Sequence, residues 1–289
     1  VKVQKIERGI YFIEGENRGK FPYCNCLLVD DVLIDAGAGT TVVGELEKKA
    51  KKLVLSHNHP DHSSGSWIFN KKHKKVFSPE GFDTSLDSLA LRFVEKELAE
   101  IWKFFIVSTT GMKSFQSEKY GDGEILNKEP EIESIKLPGH TMDMHVFLID
   151  GRILYGADID LTGFGPWYGN PESDPELFRK SIEDVKKIDF EIFISSHRNP
   201  VKRDEAERLI DRYIQVFDDR ERKILEILDG SKGKTVEEIV EISPFYGKKP
   251  YAKEILDFFE RNMIIKHLEI LRRKGEIKET DGRFCRAKN

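Results

Sequence analysis

Three imidazoles and one carboxylate fall within six consecutive residues, His57-Asn58-His59-Pro60-Asp61-His62. Ionisable side chains at this density are poor material for a hydrophobic core, because burying them unpaired is costly. They are good material for a metal site: imidazole suits zinc or iron, and carboxylate suits the harder face of the same ions. Two histidines separated by one residue can face the same side and grip one ion. Asp61 and His62 can then turn toward a second. The segment follows a short apolar run, Leu53–Leu55, which reads as a buried strand. A loop at a strand end exposes side chains while the sheet holds them rigid.

Further candidate ligands recur downstream in the same local setting. His140 follows the strand pattern Ile132–Leu137, within Pro138-Gly139-His140-Thr141. Asp158 follows Ile153–Tyr155, within Tyr155-Gly156-Ala157-Asp158, and His197 follows Ile192–Ser195, within Ile194-Ser195-Ser196-His197. A single histidine at a strand end carries little information; the ordered set carries much more. Asp35, Ser56 and Thr141 are candidates to hold the outer nitrogens of ligating imidazoles.

Strand patterns at Ile10–Glu14, Cys24–Val29 and Val32–Asp35 open the chain, followed by a helix at Val42–Lys51. Apolar residues at helical spacing predict one long helix over Ser85–Ile106. Helices are expected at Pro175–Ile188 and Asp204–Val216. After Phe217 the pattern becomes helix (Arg220–Leu228), helix (Thr235–Glu241), helix (Ile264–Lys274) and a hairpin turning at Asp281-Gly282, the order of a winged helix. The reading is therefore two domains: 1–217, carrying the candidate ligands, and 218–289, a small winged-helix-like domain.

A 34% charged and 39% hydrophobic chain of 289 residues has the composition of a folded protein with a heavily charged surface. The net charge of −4 argues against a general nucleic-acid-binding surface, although the segment after position 218 is locally basic, with 17 Lys and Arg against 14 Asp and Glu. Three cysteines, Cys24, Cys26 and Cys285, make no disulfide framework and fit a reducing cytoplasm. No apolar run approaches the ~20 residues that span a bilayer, and no signal peptide is evident.

In order and spacing, HNHPDH, PGHT, GAD and SSH resemble the ligand segments of the metallo-β-lactamase superfamily, and LLVDDVLIDAG resembles its N-terminal strand pair. The likeness covers roughly Ile10 to His197. It implies an α/β fold, the αββα sandwich of two mixed sheets with helices outside. It implies two divalent metal ions, zinc foremost, with iron or manganese as alternatives. His57, His59 and His140 would hold the first ion, Asp61, His62 and His197 the second, and Asp158 would bridge them. A hydroxide shared by the two ions would attack an ester, thioester or phosphodiester, with Asp61 orienting it. Flavodiiron reductases resemble this pattern but generally carry Glu where this chain has His59, which favours hydrolysis over redox chemistry; single-metal sulfur dioxygenases share the HxHxDH string and stay open as an alternative.

Three functions fit these observations. One is hydrolysis of a small-molecule ester or thioester, as in glyoxalase II relatives. Another is phosphodiesterase or ribonuclease action on single-stranded RNA, because the segment KHLEILRRKGEIKE resembles the tail of β-lactamase-like protein 2. The third is a winged-helix DNA-binding regulator with a ligand-sensing metal domain, in which Arg272, Arg273 and Lys274 would touch phosphates. Glu269, Glu276 and Glu279 dilute that patch, so packing or homodimerisation of the tail is the better expectation. The loop Leu161–Asn170, rich in glycine and aromatic residues, is a candidate pocket wall, and Lys113 and Lys119 are candidate anion contacts.

Overall fold

The computed structural model describes residues 2–229, 232–249 and 252–287. Its first sheet runs in chain order through β1 (Val3–Glu7), β2 (Ile10–Ile13), β3 (Cys26–Val29), β4 (Val32–Ile34), β5 (Lys52–Val54), β6 (Lys75–Pro79) and β7 (Glu118–Tyr120). The second contains β8 (Ile125–Lys128), β9 (Glu131–Lys136), β10 (His145–Ile149), β11 (Ile153–Tyr155), β12 (Ile192–Ile194) and β13 (Val201–Lys202), also side by side in order. Both sheets are mixed. The first turns parallel from β4 onward, and the second has one parallel pair, β11 with β12. The helices are α1 (Thr40–Glu47), α2 (Pro60–Ser63), α3 (Ser66–Lys71), α4 (Leu86–Phe93), α5 (Ala99–Thr110), α6 (Pro175–Val185), α7 (Arg203–Ile227), α8 (Val236–Ile242) and α9 (Lys253–Arg273). Strands β14 (Ile277–Thr280) and β15 (Arg283–Arg286) form a hairpin.

Side-chain alternation explains the layering. Along the first sheet, Ile10, Phe12, Leu27, Val29, Val32, Ile34 and Val54 pack in one core with Val146, Phe147 and Leu154 of the second sheet. The intervening Ile13, Cys26, Leu28, Leu33 and Leu53 point the other way, into a core shared with α1, α3, α4 and α5. A strand alternates its side chains between faces, so a strand buried on both faces must read as an unbroken apolar run. That is why LLV and VLI show no polar alternation. Helices α6 and α7 add Phe178, Ile182, Ile210 and Tyr213 to the core of the second sheet. The result is an αββα sandwich.

Four of the expected helices differ in the structure. The predicted helix over Ser85–Ile106 is two, because Val94 and Glu95 are extended and a 3-10 turn follows at Lys96–Leu98. The break lets α5 fold back on α4, bringing the rings of Phe93 and Trp102 to 5.0 Å. The predicted pair Asp204–Val216 and Arg220–Leu228 is one continuous helix, α7, with no glycine or proline to interrupt it. Position 217 therefore lies inside a helix. The third tail helix begins at Lys253 rather than Ile264. A separate small core of Ile224, Leu228, Ile239, Ile264, Leu268, Leu271 and Ile277 joins the end of α7 to α8, α9 and β14. The N-terminal half of α9 instead packs on the larger body, with Ile255, Phe258 and Phe259 in the core of the first sheet's outer face. The hairpin turns at Asp281-Gly282, both with positive φ (50° and 72°), as a tight two-residue turn requires.

Among the described residues no helix is long and apolar enough to cross a membrane.

Candidate metal centre

The edge of the sandwich where β4, β5, β9, β11 and β12 end gathers every side chain that the sequence nominated as a metal ligand. His57, His59, Asp61 and His62 follow β5, His140 follows β9, Asp158 follows β11 and His197 follows β12. The positions are enforced by close backbone packing. A Cβ at Gly37 would overlap the carbonyl oxygen of Asp61, and one at Gly139, where φ is +124°, would overlap the backbone of Phe178 on α6. Pro60 starts the short helix α2 and presents Asp61 and His62 from its first turn.

Potential ligand atoms of His57, His59, His140 and Asp158 lie within 4.8 Å of one another, and so do those of Asp61, His62 and His197. Asp158 stands between the two groups. Its Oδ2 is 3.0 Å from His140 Nε2, 3.7 Å from His57 Nε2 and 3.9 Å from His59 Nδ1. Its Oδ1 is 2.9 Å from His62 Nε2 and 3.4 Å from His197 Nε2. Asp61 Oδ2 lies 3.5 Å from His197 Nε2 and 3.9 Å from His62 Nε2.

Each of the five imidazoles has one nitrogen engaged outward and the other aimed inward. His57 Nδ1 meets Ser56 Oγ at 2.9 Å, His62 Nδ1 meets Asp35 Oδ2 at 2.7 Å, and His140 Nδ1 meets the Trp167 carbonyl at 2.8 Å. His197 Nδ1 meets the Gly19 carbonyl at 2.6 Å, and His59 Nε2 meets the Asn170 side-chain amide at 2.8 Å. Three of the inward atoms lack partners. His57 Nε2, His62 Nε2 and Asp158 Oδ1 are buried without a hydrogen bond. Inward His59 Nδ1 and His140 Nε2 face each other at 2.9 Å. Buried polar atoms left unsatisfied are rare and call for an explanation. A cation among them supplies one, and imidazoles fixed through their outer nitrogens are the usual support of a metal site. The donor set, five imidazoles and two carboxylates, fits zinc, iron or manganese.

Electrostatics divide the two groups: against burial, neighbouring carboxylates raise His62 well above the ordinary histidine range and His197 to about 9, so an ion there must displace their protons. Burial, reinforced by neighbouring imidazoles, pushes His57 and His59 well below the ordinary histidine range, which leaves them neutral and able to ligate. Burial opposes ionisation of Asp158, but the surrounding His62, His197 and His140 outweigh it and hold the carboxyl well below the usual range. Burial raises Asp61.

The supporting shell is partly as expected. Asp35 accepts from the Ser56 N–H and hydroxyl, both at 2.8 Å, and from Tyr155 Oη at 2.7 Å, besides its contact with His62. Thr141 does not take the role expected of it. The Gly139 N–H donates to the Thr141 carbonyl in a tight turn, and the threonine hydroxyl is buried with no hydrogen bond. Lys119 is no anion contact either, since its ammonium donates to Ser78 Oγ (3.0 Å) and to the Phe82 carbonyl (2.7 Å). Lys113 lies over the Trp67 ring at 4.3 Å. The loop Leu161–Asn170 does border the site, with the Trp167 ring 5.4 Å from His59 and 5.7 Å from His140. Sequence reasoning missed Asn170 and the carbonyls of Gly19 and Trp167, and neither a lone amide nor a backbone acceptor has a motif to betray it. It also missed Arg92, which pairs with Glu172 at 2.9 Å and lies 3.6 Å from Asp143, beside the backbone of Asn58.

No family model and no curated protein matches the chain. Solved structures do. A metallo-β-lactamase family protein of Thermus thermophilus superposes with a TM-score of 0.74 at 20% identity, covering 98% of this chain and 100% of that one. A β-lactamase domain protein from Burkholderia ambifaria gives 0.71 at 14% identity, covering 99% and 94%. The metallo-β-lactamase FIM-1 from Pseudomonas aeruginosa, solved in a mono-zinc form, gives 0.52 at 17% identity and covers 95% of itself but 75% of this chain.

Proposed function

From the metallo-β-lactamase fold that these superpositions establish, we propose that the chain is a metal-dependent hydrolase with a dinuclear centre, acting on an ester, thioester or phosphodiester. The observation that carries this reading is the division of Asp158: one carboxylate oxygen faces His57, His59 and His140, the other faces His62 and His197.

In this reading His57, His59 and His140 hold the first ion, Asp61, His62 and His197 hold the second, and Asp158 serves both. Zinc is the first choice of metal. The ions, when bound, supply a water acidic enough to attack at neutral pH and polarise the carbonyl or phosphoryl oxygen under attack. The protein's own work is positioning. Ser56, Asp35, Asn170 and the carbonyls of Trp167 and Gly19 fix the five rings through their outer nitrogens. Asp61, buried beside His62 and His197, would orient a water for attack. Trp167 beside His59 and His140 supplies an apolar wall for the substrate.

The tail's ion pairs favour a small-molecule substrate over nucleic acid. Arg272 pairs with Glu279 at 2.9 Å, Arg273 with Glu176 at 2.5 Å and Lys274 with Glu221 at 2.5 Å. Arg283 pairs with Glu238 at 2.7 Å. Cations already held by carboxylates neutralise fewer phosphates. The test is turnover by zinc-loaded protein of a thioester, bis-p-nitrophenyl phosphate and single-stranded RNA. Hydrolysis of the first or second, abolished in His59→Ala, supports the proposal. Zinc-loaded protein that binds duplex DNA in a salt-sensitive way and turns over none of the three would overturn it.

A further inference from the structure

The loop Leu161–Asn170 is held from two sides. On one side it touches the imidazoles of the first ion: its Trp167 carbonyl meets His140 Nδ1 and its Asn170 amide meets His59 Nε2. On the other side its carbonyls are taken up by side chains of α7 and α9. Arg220 donates to the carbonyls of Phe164 (2.9 Å) and Pro166. Asn262 Nδ2 donates to the Gly169 carbonyl at 2.9 Å. Lys266 donates to the carbonyls of Tyr168 (3.0 Å) and Asn170. The Trp167 indole N–H donates to Tyr246 Oη at 2.6 Å.

Resting on the dinuclear reading above, we propose that Arg220, Asn262 and Lys266 are positioning residues for the first ion, setting the ring orientation of His59 and His140 through this loop. Two features make the arrangement more than generic packing. Arg220 is buried, and among the described residues neither it nor Lys266 pairs with a carboxylate; loop carbonyls, together with the Phe164, Tyr168 and Phe245 rings around Arg220, surround these cations. Burial pushes Lys266 down to about 8, with the more distant Asp174, Glu172 and Glu269 opposing it only in part. The contacts are also directional. Lys266 grips the backbone of Asn170, the same residue whose side chain meets His59, so a shift of this cation moves the amide directly. Residues that orient metal ligands in this way commonly change metal affinity by about 10–100-fold when replaced. The segment following position 217 is then an integral part of the catalytic centre.

The test compares full-length Lys266→Met, Lys266→Arg, Asn262→Leu and Arg273→Met with the unmodified protein. Arg273 lies on the same helix but pairs with Glu176 and does not touch the loop. Zinc affinity is measured ion by ion with a competing chelator, and ligand geometry by the visible absorption spectrum of the cobalt(II) form. Thermal melts report folding separately. The expected result is one zinc ion held at least ~10-fold more weakly in Lys266→Met and Asn262→Leu, with altered cobalt bands. The other ion, and Arg273→Met throughout, should match the unmodified protein, with partial recovery in Lys266→Arg. If Lys266→Met does not fold, Asn262→Leu, which loses one neutral hydrogen bond, decides alone. Two ions bound with unchanged affinity and spectra in the folded variants would overturn this inference while leaving the dinuclear reading intact. Failure of the unmodified protein to bind two ions would overturn both.

Discussion

Asp35 and His62, both fully buried, are joined by a 2.7 Å contact between carboxylate Oδ2 and imidazole Nδ1. The pair fixes which nitrogen of His62 faces the ligand cluster. Asp35 is saturated, because it also accepts from the Ser56 N–H, the Ser56 hydroxyl and Tyr155 Oη. Asp35→Asn would point an NH2 group at donors. We expect a stability loss of roughly 1–3 kcal/mol by chemical denaturation, together with a roughly 10–100-fold weaker affinity for one ion. Unchanged metal affinity would show that Asp35 serves folding alone.

Among the described residues Asp158 is the one carboxylate facing both groups of ligands. Asp158→Ala is expected to purify with at most one ion per chain and to lose turnover with it, by elemental analysis and assay of the same sample. Full metal content in this variant would contradict the shared role.

Two glycines provide a paired test of the scaffold. A methyl group at Gly37 overlaps the Asp61 carbonyl, whereas Gly44 in α1 has open space at the same position. Gly37→Ala should cost about 1–3 kcal/mol and displace Asp61, weakening metal binding. Gly44→Ala should be neutral or stabilising by up to about 1 kcal/mol. Equal effects of the two on the melting temperature would mean that the close approach to Asp61 is not what fixes the loop.

His267, buried against Tyr168 Oη at 2.6 Å, is lowered to about 3 by burial and by Arg220. The unfolded chain protonates this residue below about 6.5, while the folded chain resists until about 3. Protons therefore favour unfolding across that window. The contribution is fully present above about 6.5 and is lost on acidification toward 3, at up to about 1.4 kcal/mol per pH unit. His267→Gln should lose stability less steeply between those limits. Parallel curves for the two proteins would rule out this source of acid sensitivity.

Much of the centre was legible because ligand chemistry is written locally. HNHPDH places four candidates side by side, and His140, Asp158 and His197 each follow a recognisable apolar strand. Asp35 and Ser56 could be nominated from the same strand ends. The contacts of Asn170 and of the Gly19 and Trp167 carbonyls arise only when distant segments meet, and they leave no trace in residue type. The layering was legible from the unbroken apolar runs, but the helix break at Val94–Glu95 was not, since helical spacing continues across it without a glycine or proline. The reverse error occurred at Phe217: a change of pattern there suggested a boundary, but nothing in the backbone chemistry of residues 216–220 stops a helix, and α7 continues through it.

The central claim, that seven side chains converge on two cations, is tested most directly by anomalous diffraction from zinc-grown crystals collected above and below the zinc edge. The account predicts two peaks per chain. One lies among His57, His59 and His140, the other among Asp61, His62 and His197, with Asp158 between them. The absence of any peak at this edge of the sandwich, in crystals that contain zinc elsewhere, would contradict it.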